Sequence, residues 1–323
     1  MGQSKEYAVR RVAQLRDAGW DRRSIDQLPR PPDLIGVRIL QEFAGMERRD
    51  ARIRQAVQAA PAGGVLSGWA AAALHGVPEL FIDGTRDGVT ALPVEFSVPR
   101  EGGTYRRRGV GVRYSLVPRD DVVQLDGIPV TSTWRTTLDL ARRSRTEGRA
   151  LAMSDLSMRH GLVEPATFAD YVRPLKGLHG LKRVRAVMGE MCGQAESVPE
   201  SELRWTWLSC ELPKPIPNVS VWDRFGRFVG RIDLLDPESG LGAEYQGYWH
   251  HMDGAAENDE NRFAKFAAMN LTIVPVWKED VAKESVGQLL RQGQRQAQAR
   301  DRRLDTWSIV SPHTKEPFEP HSP

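Results

Sequence analysis

Two acidic residues with a spacing suited to metal-ion chemistry lie in the last third of the chain. Asp233 and Glu244 fall in neighbouring strand-like segments, RFGRFVGRIDLLD and GLGAEYQG, which the turn residues 237–240 separate. Side chains two positions apart share a face of a strand, so Gln246 accompanies Glu244. If the two strands pair through this turn, both acids can reach one divalent cation. Carboxylate oxygens favour a hard ion such as Mg²⁺ or Mn²⁺.

The segments around these acids predict the elements that position them. Ser197 and Glu200 have the form of a capping box at the start of the helix PESELRWTWLSCEL, and Glu202 lies in its first turn. The helix dipole alone favours an acid there, so Glu202 has a structural as well as a metal-binding interpretation. NVSVWD adds another strand, AAENDENRFAKFAAMN a helix and LTIVPVW a last strand. The predicted order is helix, three-stranded meander, helix, strand.

This order is similar to the α/β restriction-endonuclease-like core of the PD-(D/E)XK superfamily, and it resembles most the Vsr-like (very-short-patch-repair-like) subgroup and its actinobacterial relatives. The subgroup's pattern is an early helical glutamate, a strand with R-x-D-L, E-Y-Q-G or E-x-D-G followed by histidines, and then D-x-x-R. The matching residues here are Glu202, Arg231 to Leu234, Glu244 to Gly247, His250, His251, Asp259 and Arg262.

The resemblance implies a metal-dependent endonuclease that hydrolyses DNA phosphodiester bonds with Mg²⁺ or Mn²⁺. In that interpretation Asp233 and Glu244 hold the metal, with Glu202 as an additional or outer ligand. His250 or His251 activates water or protonates the leaving oxygen. Gln246 departs from the superfamily, which usually has a lysine there, because an amide orients water but offers no positive charge.

Several of these residues have a plain structural alternative. A lone acid in a strand is usually an edge or turn residue, and Asp259 with Arg262 is as consistent with an ion pair on a helix as with a phosphate clamp. Arg231 and Arg262 are the candidates for nucleic-acid contacts in this part of the chain. The alternative for the whole chain is a catalytically inactive DNA-binding regulator or antitoxin-like protein.

Ahead of this core, the sequence predicts an α+β module over residues 61–190. SGWAAAALHGVP, GIPVTSTWRTTLDLARR and ALAMSDLSMRHG resemble the N-terminal region of actinobacterial proteins that join a type IV abortive-infection antitoxin module to a nuclease domain. We expect a helix from Val65 to about Leu80, and a small antiparallel sheet from residues 94–98, 109–117 and 127–132. The resemblance implies a protein partner or a targeting role for this module.

Residues 1–60 predict short helices and a possible degenerate helix-turn-helix, with Asp21 capping the second helix. Proline interrupts the chain directly afterwards. Between residues 100 and 119 a run of arginines predicts a hairpin with a basic tip, which is either a solvated loop or a phosphate-contacting loop. The arginines nearest the tip are Arg106, Arg107 and Arg108.

Composition sets the outer limits. A chain of 323 residues with 40% hydrophobic and 27% charged residues predicts two globular domains, here an endonuclease-like domain over residues 195–300 after the first module. No apolar run approaches the roughly 20 residues that span a bilayer, so we expect a cytoplasmic protein without membrane contact. Two cysteines exclude a disulfide framework. Residues 311–323 are proline-rich and predicted to be disordered, and the oligomeric state is left open.

Overall fold

The computed structural model describes residues 9–30, 36–39, 48–78, 82–85, 89–99, 105, 108–246, 255–277 and 284–311. The chain forms two compact units, Met1–Leu140 and Ala141–Pro323. In the described part of the chain, no helix has the length and apolar character needed to cross a membrane.

The first unit begins with a short strand pair and two helices. β1 (Val9–Arg11) pairs antiparallel with β2 (Val37–Ile39), and α1 (Val12–Asp17) and α2 (Arg22–Gln27) lie between them in the chain. The Asp21 carboxylate accepts a hydrogen bond from the Ser24 amide at 3.0 Å, which confirms the predicted cap of α2. α3 (Arg48–Gln58) follows.

A five-stranded mixed sheet forms the rest of this unit. Its strands are β3 (Val65–Ser67), β4 (Val94–Val98), β5 (Val110–Tyr114), β6 (Val122–Leu125) and β7 (Ile128–Thr131), in the order β5-β4-β3-β7-β6. α4 (Gly68–Leu74) follows β3, and α5 (Thr133–Arg142) follows β7. β4 pairs antiparallel with β3, and β6 pairs antiparallel with β7. Two other pairs, β4 with β5 and β3 with β7, are parallel.

Three expectations for this unit were wrong. The sheet is mixed rather than antiparallel, and β4 and β5 cannot form a tight hairpin because parallel neighbours need a longer crossover connection. Arg108 is exposed just before β5, whereas Arg106 and Arg107 lie outside the described residues. Residues 65–67 are a strand instead of the start of a helix, because they pair with β4 and the helix begins only at Gly68.

The second unit contains helices followed by a sheet with helices between and after its strands. The helices before the sheet are α6 (Glu147–Arg159), α7 (Pro165–Val172), α8 (Leu181–Val187) and α9 (Val198–Leu208). The remaining elements are β8 (Ile216–Asp223), β9 (Phe228–Asp236), β10 (Leu241–Gln246), α10 (Ala255–Ala268), β11 (Thr272–Trp277), α11 (Glu284–Gln298) and β12 (Trp307–Ser308).

The sheet of the second unit has the order β11-β10-β9-β8-β12. β8, β9 and β10 form an antiparallel meander, and β11 returns parallel to β10 after α10. The predicted order of helix, meander, helix and strand is therefore present. Residues 312–323, which include most of the predicted disordered tail, lie outside the described part.

Two apolar clusters hold these elements together. Leu203 and Trp207 of α9 pack with β9, β10, β11 and α11 residues in one cluster. Phe266 of α10 packs with Ile232 and other residues of β8 and β9 in the second. Helices thus cover the sheet through separate cores, which is typical of an α/β arrangement.

A buried ion pair ties α6 to α9 within this unit. The Asp155 carboxylate lies 2.8 Å from the Arg204 guanidinium, with both side chains almost fully buried. Asp155 also accepts a hydrogen bond from the Cys192 amide at 2.7 Å. α6 therefore packs against α9 in the second compact unit, which begins at Ala141.

Candidate carboxylate site

Asp233 and Glu244 are neighbours where the pairing of two strands ends. β10 pairs with β9 from Leu241, opposite Asp236, to Ala243, opposite Leu234. Continuing this register by one residue brings Glu244 next to Asp233. Beyond that point the Asp233 carboxylate accepts a hydrogen bond from the Tyr245 amide at 2.7 Å. A side chain thus replaces a strand-to-strand backbone hydrogen bond and anchors the acid against β10.

Glu244 is buried and is paired with a cation. The residue is 2% exposed, and its Oε2 atom accepts a hydrogen bond from Nη2 of Arg262 at 2.6 Å. The amide nitrogen of Gln246, also buried, lies 3.5 Å from the same oxygen. A buried carboxylate needs such charge-assisted bonds to offset the loss of hydration.

The pKa of Asp233 is raised from 3.8 to about 6, mainly because burial penalises the charged carboxylate. The nearby negative charge of Glu200 raises this pKa further. The Tyr245 amide and the guanidinium groups of Arg262 and Arg231 act in the opposite direction without cancelling the shift. An acid with a strongly shifted pKa inside a polar cluster is typical of a functional site, although structural clusters also show such shifts.

Glu200 lies close enough to Asp233 for its negative charge to raise the pKa of that acid, whereas its sequence pattern predicted only a capping role. Its Oε2 atom accepts hydrogen bonds from the Glu196 amide at 2.8 Å and from the Asn218 side chain at 2.9 Å. The Ser197 hydroxyl caps α9 as predicted, accepting from the Glu200 amide at 3.3 Å. Glu200 precedes the buried Leu203 and Trp207 by three and seven residues, the spacing of one helix face. That spacing was the available signal for choosing Glu200.

Glu202, the predicted helical ligand, is directed elsewhere. Its carboxylate lies 3.7 Å from the guanidinium of Arg149 on α6 and lines a cavity with Trp205 and Arg183. Burial raises the pKa of Glu202, and Arg149 opposes that shift. Being two residues from Glu200, Glu202 points to a different side of α9, so the structure does not bring it to Asp233 and Glu244.

Of the other predicted residues, Arg231 and Arg262 have described side chains. Arg231 donates hydrogen bonds to Glu196, one of them at 3.0 Å, and is partly exposed. Arg262 binds Glu244, while the side chain of Asp259, its other suggested partner, lies outside the described part, as do His250 and His251. The roles predicted for the two histidines stay predictions.

The donor atoms of this site suit a hard cation, but the described side chains do not complete a metal site. Asp233, Glu244 and Glu200 offer carboxylate oxygens, the ligands that Mg²⁺ and Mn²⁺ prefer. Within the described ranges, however, no group of three or more histidine, cysteine, aspartate or glutamate side chains could hold a metal ion. The cation seen on Glu244 is the Arg262 guanidinium.

Comparison with known proteins supports the antitoxin-like part of the sequence prediction. Residues 62–190 match the family model described as the AbiEi antitoxin C-terminal domain. Two uncharacterized proteins of Mycobacterium tuberculosis, from strains CDC 1551 / Oshkosh and ATCC 25618 / H37Rv, are each 30% identical to this chain over 162 residues. These matches cover 50% of this chain and 59% of each relative.

No solved structure matches the chain. The comparisons therefore support an antitoxin-like segment at residues 62–190 and provide no support for the PD-(D/E)XK or Vsr-like resemblance. The endonuclease interpretation depends on the motifs and on the geometry of the acids alone.

Proposed function

We propose that this chain is an antitoxin-like regulator that acts on DNA or on a protein partner, and that its second unit carries a site suited to metal-dependent hydrolysis of DNA phosphodiester bonds. The family match at residues 62–190 carries the first part. The placement of Asp233 beside Glu244, at the end of the β9–β10 pairing, carries the second.

The regulatory part needs no turnover. Binding alone would suffice for it, and the family match extends over residues 62–190, nearly the whole α+β module that the sequence predicted. The partner class is DNA or protein, and a binding measurement separates the two. Size-exclusion chromatography of the purified chain would also give the oligomeric state.

The hydrolytic part depends on what the side chains of the site can do. Phosphodiester cleavage needs a polarised phosphate, an oriented water and a proton for the leaving oxygen. A bound Mg²⁺ or Mn²⁺ would polarise the phosphate and lower the pKa of water. Gln246 can orient water by hydrogen bonding. The Arg262 side chain, 29% exposed, can present its guanidinium to a phosphate oxygen.

One experiment tests both parts. The purified chain is incubated with supercoiled plasmid and with single-stranded DNA, in Mg²⁺, Mn²⁺ or chelator, and both binding and cleavage are followed. If the site is active, Asp233→Ala and Glu244→Ala each abolish metal-dependent cleavage and leave DNA binding in place. Asp223→Ala, which removes an acid from the end of β8 in the same sheet, is the matched control and should cleave normally.

Each outcome has a distinct meaning. Binding without cleavage in every metal and on every substrate would reject the hydrolytic part and leave a DNA-binding regulator. Absence of both binding and cleavage would reject DNA as the partner and direct the search to a protein. Cleavage that survives in both acid variants would show that another site, or a contaminating nuclease, is responsible.

A further inference from the structure

One neutral and one positively charged side chain approach the same oxygen of Glu244. Gln246, from the same strand, places its neutral amide 3.5 Å from Oε2, and Arg262, from α10, places its charged guanidinium 2.6 Å from it. Among Glu244, Gln246 and Arg262, the one formal positive charge therefore lies on α10 and not on β10, the strand that carries Glu244.

We propose that Arg262 supplies from α10 the fixed positive charge that Gln246 cannot provide on β10, and that it thereby positions Glu244 for the reaction. This inference deepens the proposed hydrolytic function and rests on it. Arg262 is a positioning residue, since it acts on the site through Glu244.

The surroundings of Arg262 support a built position. Its Nη1 atom lies 3.4 Å from the backbone oxygen of Arg231, so the guanidinium connects β9 to Glu244 where the strand pairing ends. Its aliphatic stem packs beside Gly230, where a Cβ atom would lie 3.4 Å from Arg262 Cδ and 3.0 Å from Phe266. The Phe263 ring lies 5.5 Å from the guanidinium carbon.

Burial makes the choice of cation important. Glu244 lies almost entirely out of solvent, where a carboxylate loses most of its hydration and depends on nearby positive charge. Arg262 is still partly exposed, so the guanidinium that holds Glu244 lies at the edge of the buried region. An amide at position 246 can hydrogen bond to Glu244 but cannot replace this charge.

Charge complementation tests the proposal. Arg262→Gln removes the guanidinium, and Gln246→Lys in the same chain restores an ammonium near the same Glu244 oxygen. We expect the urea midpoint of unfolding to fall in Arg262→Gln and to recover in the double variant. Lys265→Gln is the control, because it removes an exposed positive charge from the same helix three residues away. Its midpoint should match that of the wild-type chain.

Cleavage of plasmid DNA in Mg²⁺ or Mn²⁺ is the second measurement on the same proteins. The loss in Arg262→Gln should be at least tenfold, within the range that removal of one positioned polar group causes, and Gln246→Lys should reverse most of it. If no protein in the series cleaves DNA, the hydrolytic function fails while the urea series still decides whether Arg262 supplies the charge for Glu244.

The results that overturn the proposal are specific. An Arg262→Gln chain as stable as the Lys265→Gln control, or a double variant no better than Arg262→Gln, would show that the charge is not needed or cannot be supplied from position 246. If Arg262→Gln does not fold and the double variant does, the recovery supports the proposal. If neither folds while Gln246→Lys alone does, the positioning role is rejected in favour of a purely structural one.

Discussion

Asp233 is expected to lower the stability of the protein at neutral pH. Its pKa is raised from 3.8 to about 6, so the folded chain binds a proton there more tightly than the unfolded chain. The contribution of Asp233 to the free energy of unfolding is greatest below pH ~4. It falls as pH rises from ~4 to ~6 and is lost above pH ~6. A shift of this size corresponds to about 3 kcal/mol.

Asp233→Asn removes the ionisation and keeps the shape. The asparagine side-chain oxygen can still accept the hydrogen bond from the Tyr245 amide, which Asp233 accepts at 2.7 Å. We compare the free energy of unfolding of the variant with that of the wild-type chain. This difference should shift in favour of the variant by up to about 3 kcal/mol as pH rises from 4 to 8. Urea unfolding at a series of pH values measures this difference.

Asp223→Asn is a control with the opposite sign. Hydrogen bonds from the Arg227 amide and side chain lower the pKa of Asp223, so its charge stabilises the folded chain above pH ~4 and this benefit is lost as pH falls. This variant should lose stability at neutral pH and approach the wild-type value in acid. An Asp233→Asn chain that is less stable than wild type at pH 7 to 8, with an unchanged pH dependence, would refute the reasoning for Asp233.

Three further predictions concern the same unit. Arg204→Met leaves Asp155 buried without its guanidinium, so it should cost roughly 3–5 kcal/mol in urea unfolding, and adding Asp155→Leu should recover part of that loss. Trp207→Ala removes a fully buried side chain and should lower the free energy of unfolding by about 3–5 kcal/mol in the same assay. A much smaller loss would indicate that α9 can repack. Glu244→Gln should weaken Mn²⁺ binding measured by calorimetry, because it removes the carboxylate that the ion would bind. Unchanged affinity in that titration would place the ion elsewhere.

Local sequence patterns were sufficient for the meander and for its two acids. Alternating apolar residues and short turns define β8, β9 and β10, and a short turn between two strands leaves few possible registers. That is why the sequence alone predicts that Asp233 and Glu244 are neighbours. The N-caps of α2 and α9 could also be predicted from the sequence, since Asp21 and Ser197 accept hydrogen bonds from backbone amides in the first turns of these helices.

Other features depended on residues distant in the chain. The strand at 65–67 exists because β4 and β7 pair with it, and the parallel pairing of β4 with β5 follows from a crossover that local patterns do not encode. Glu200 joins the site because α9 buries the face that carries Leu203 and Trp207, which turns Glu202 toward α6. The sequence by itself therefore determined which strand acids can meet. Only tertiary packing decided which helical glutamate and which cation, Arg262, lie with them.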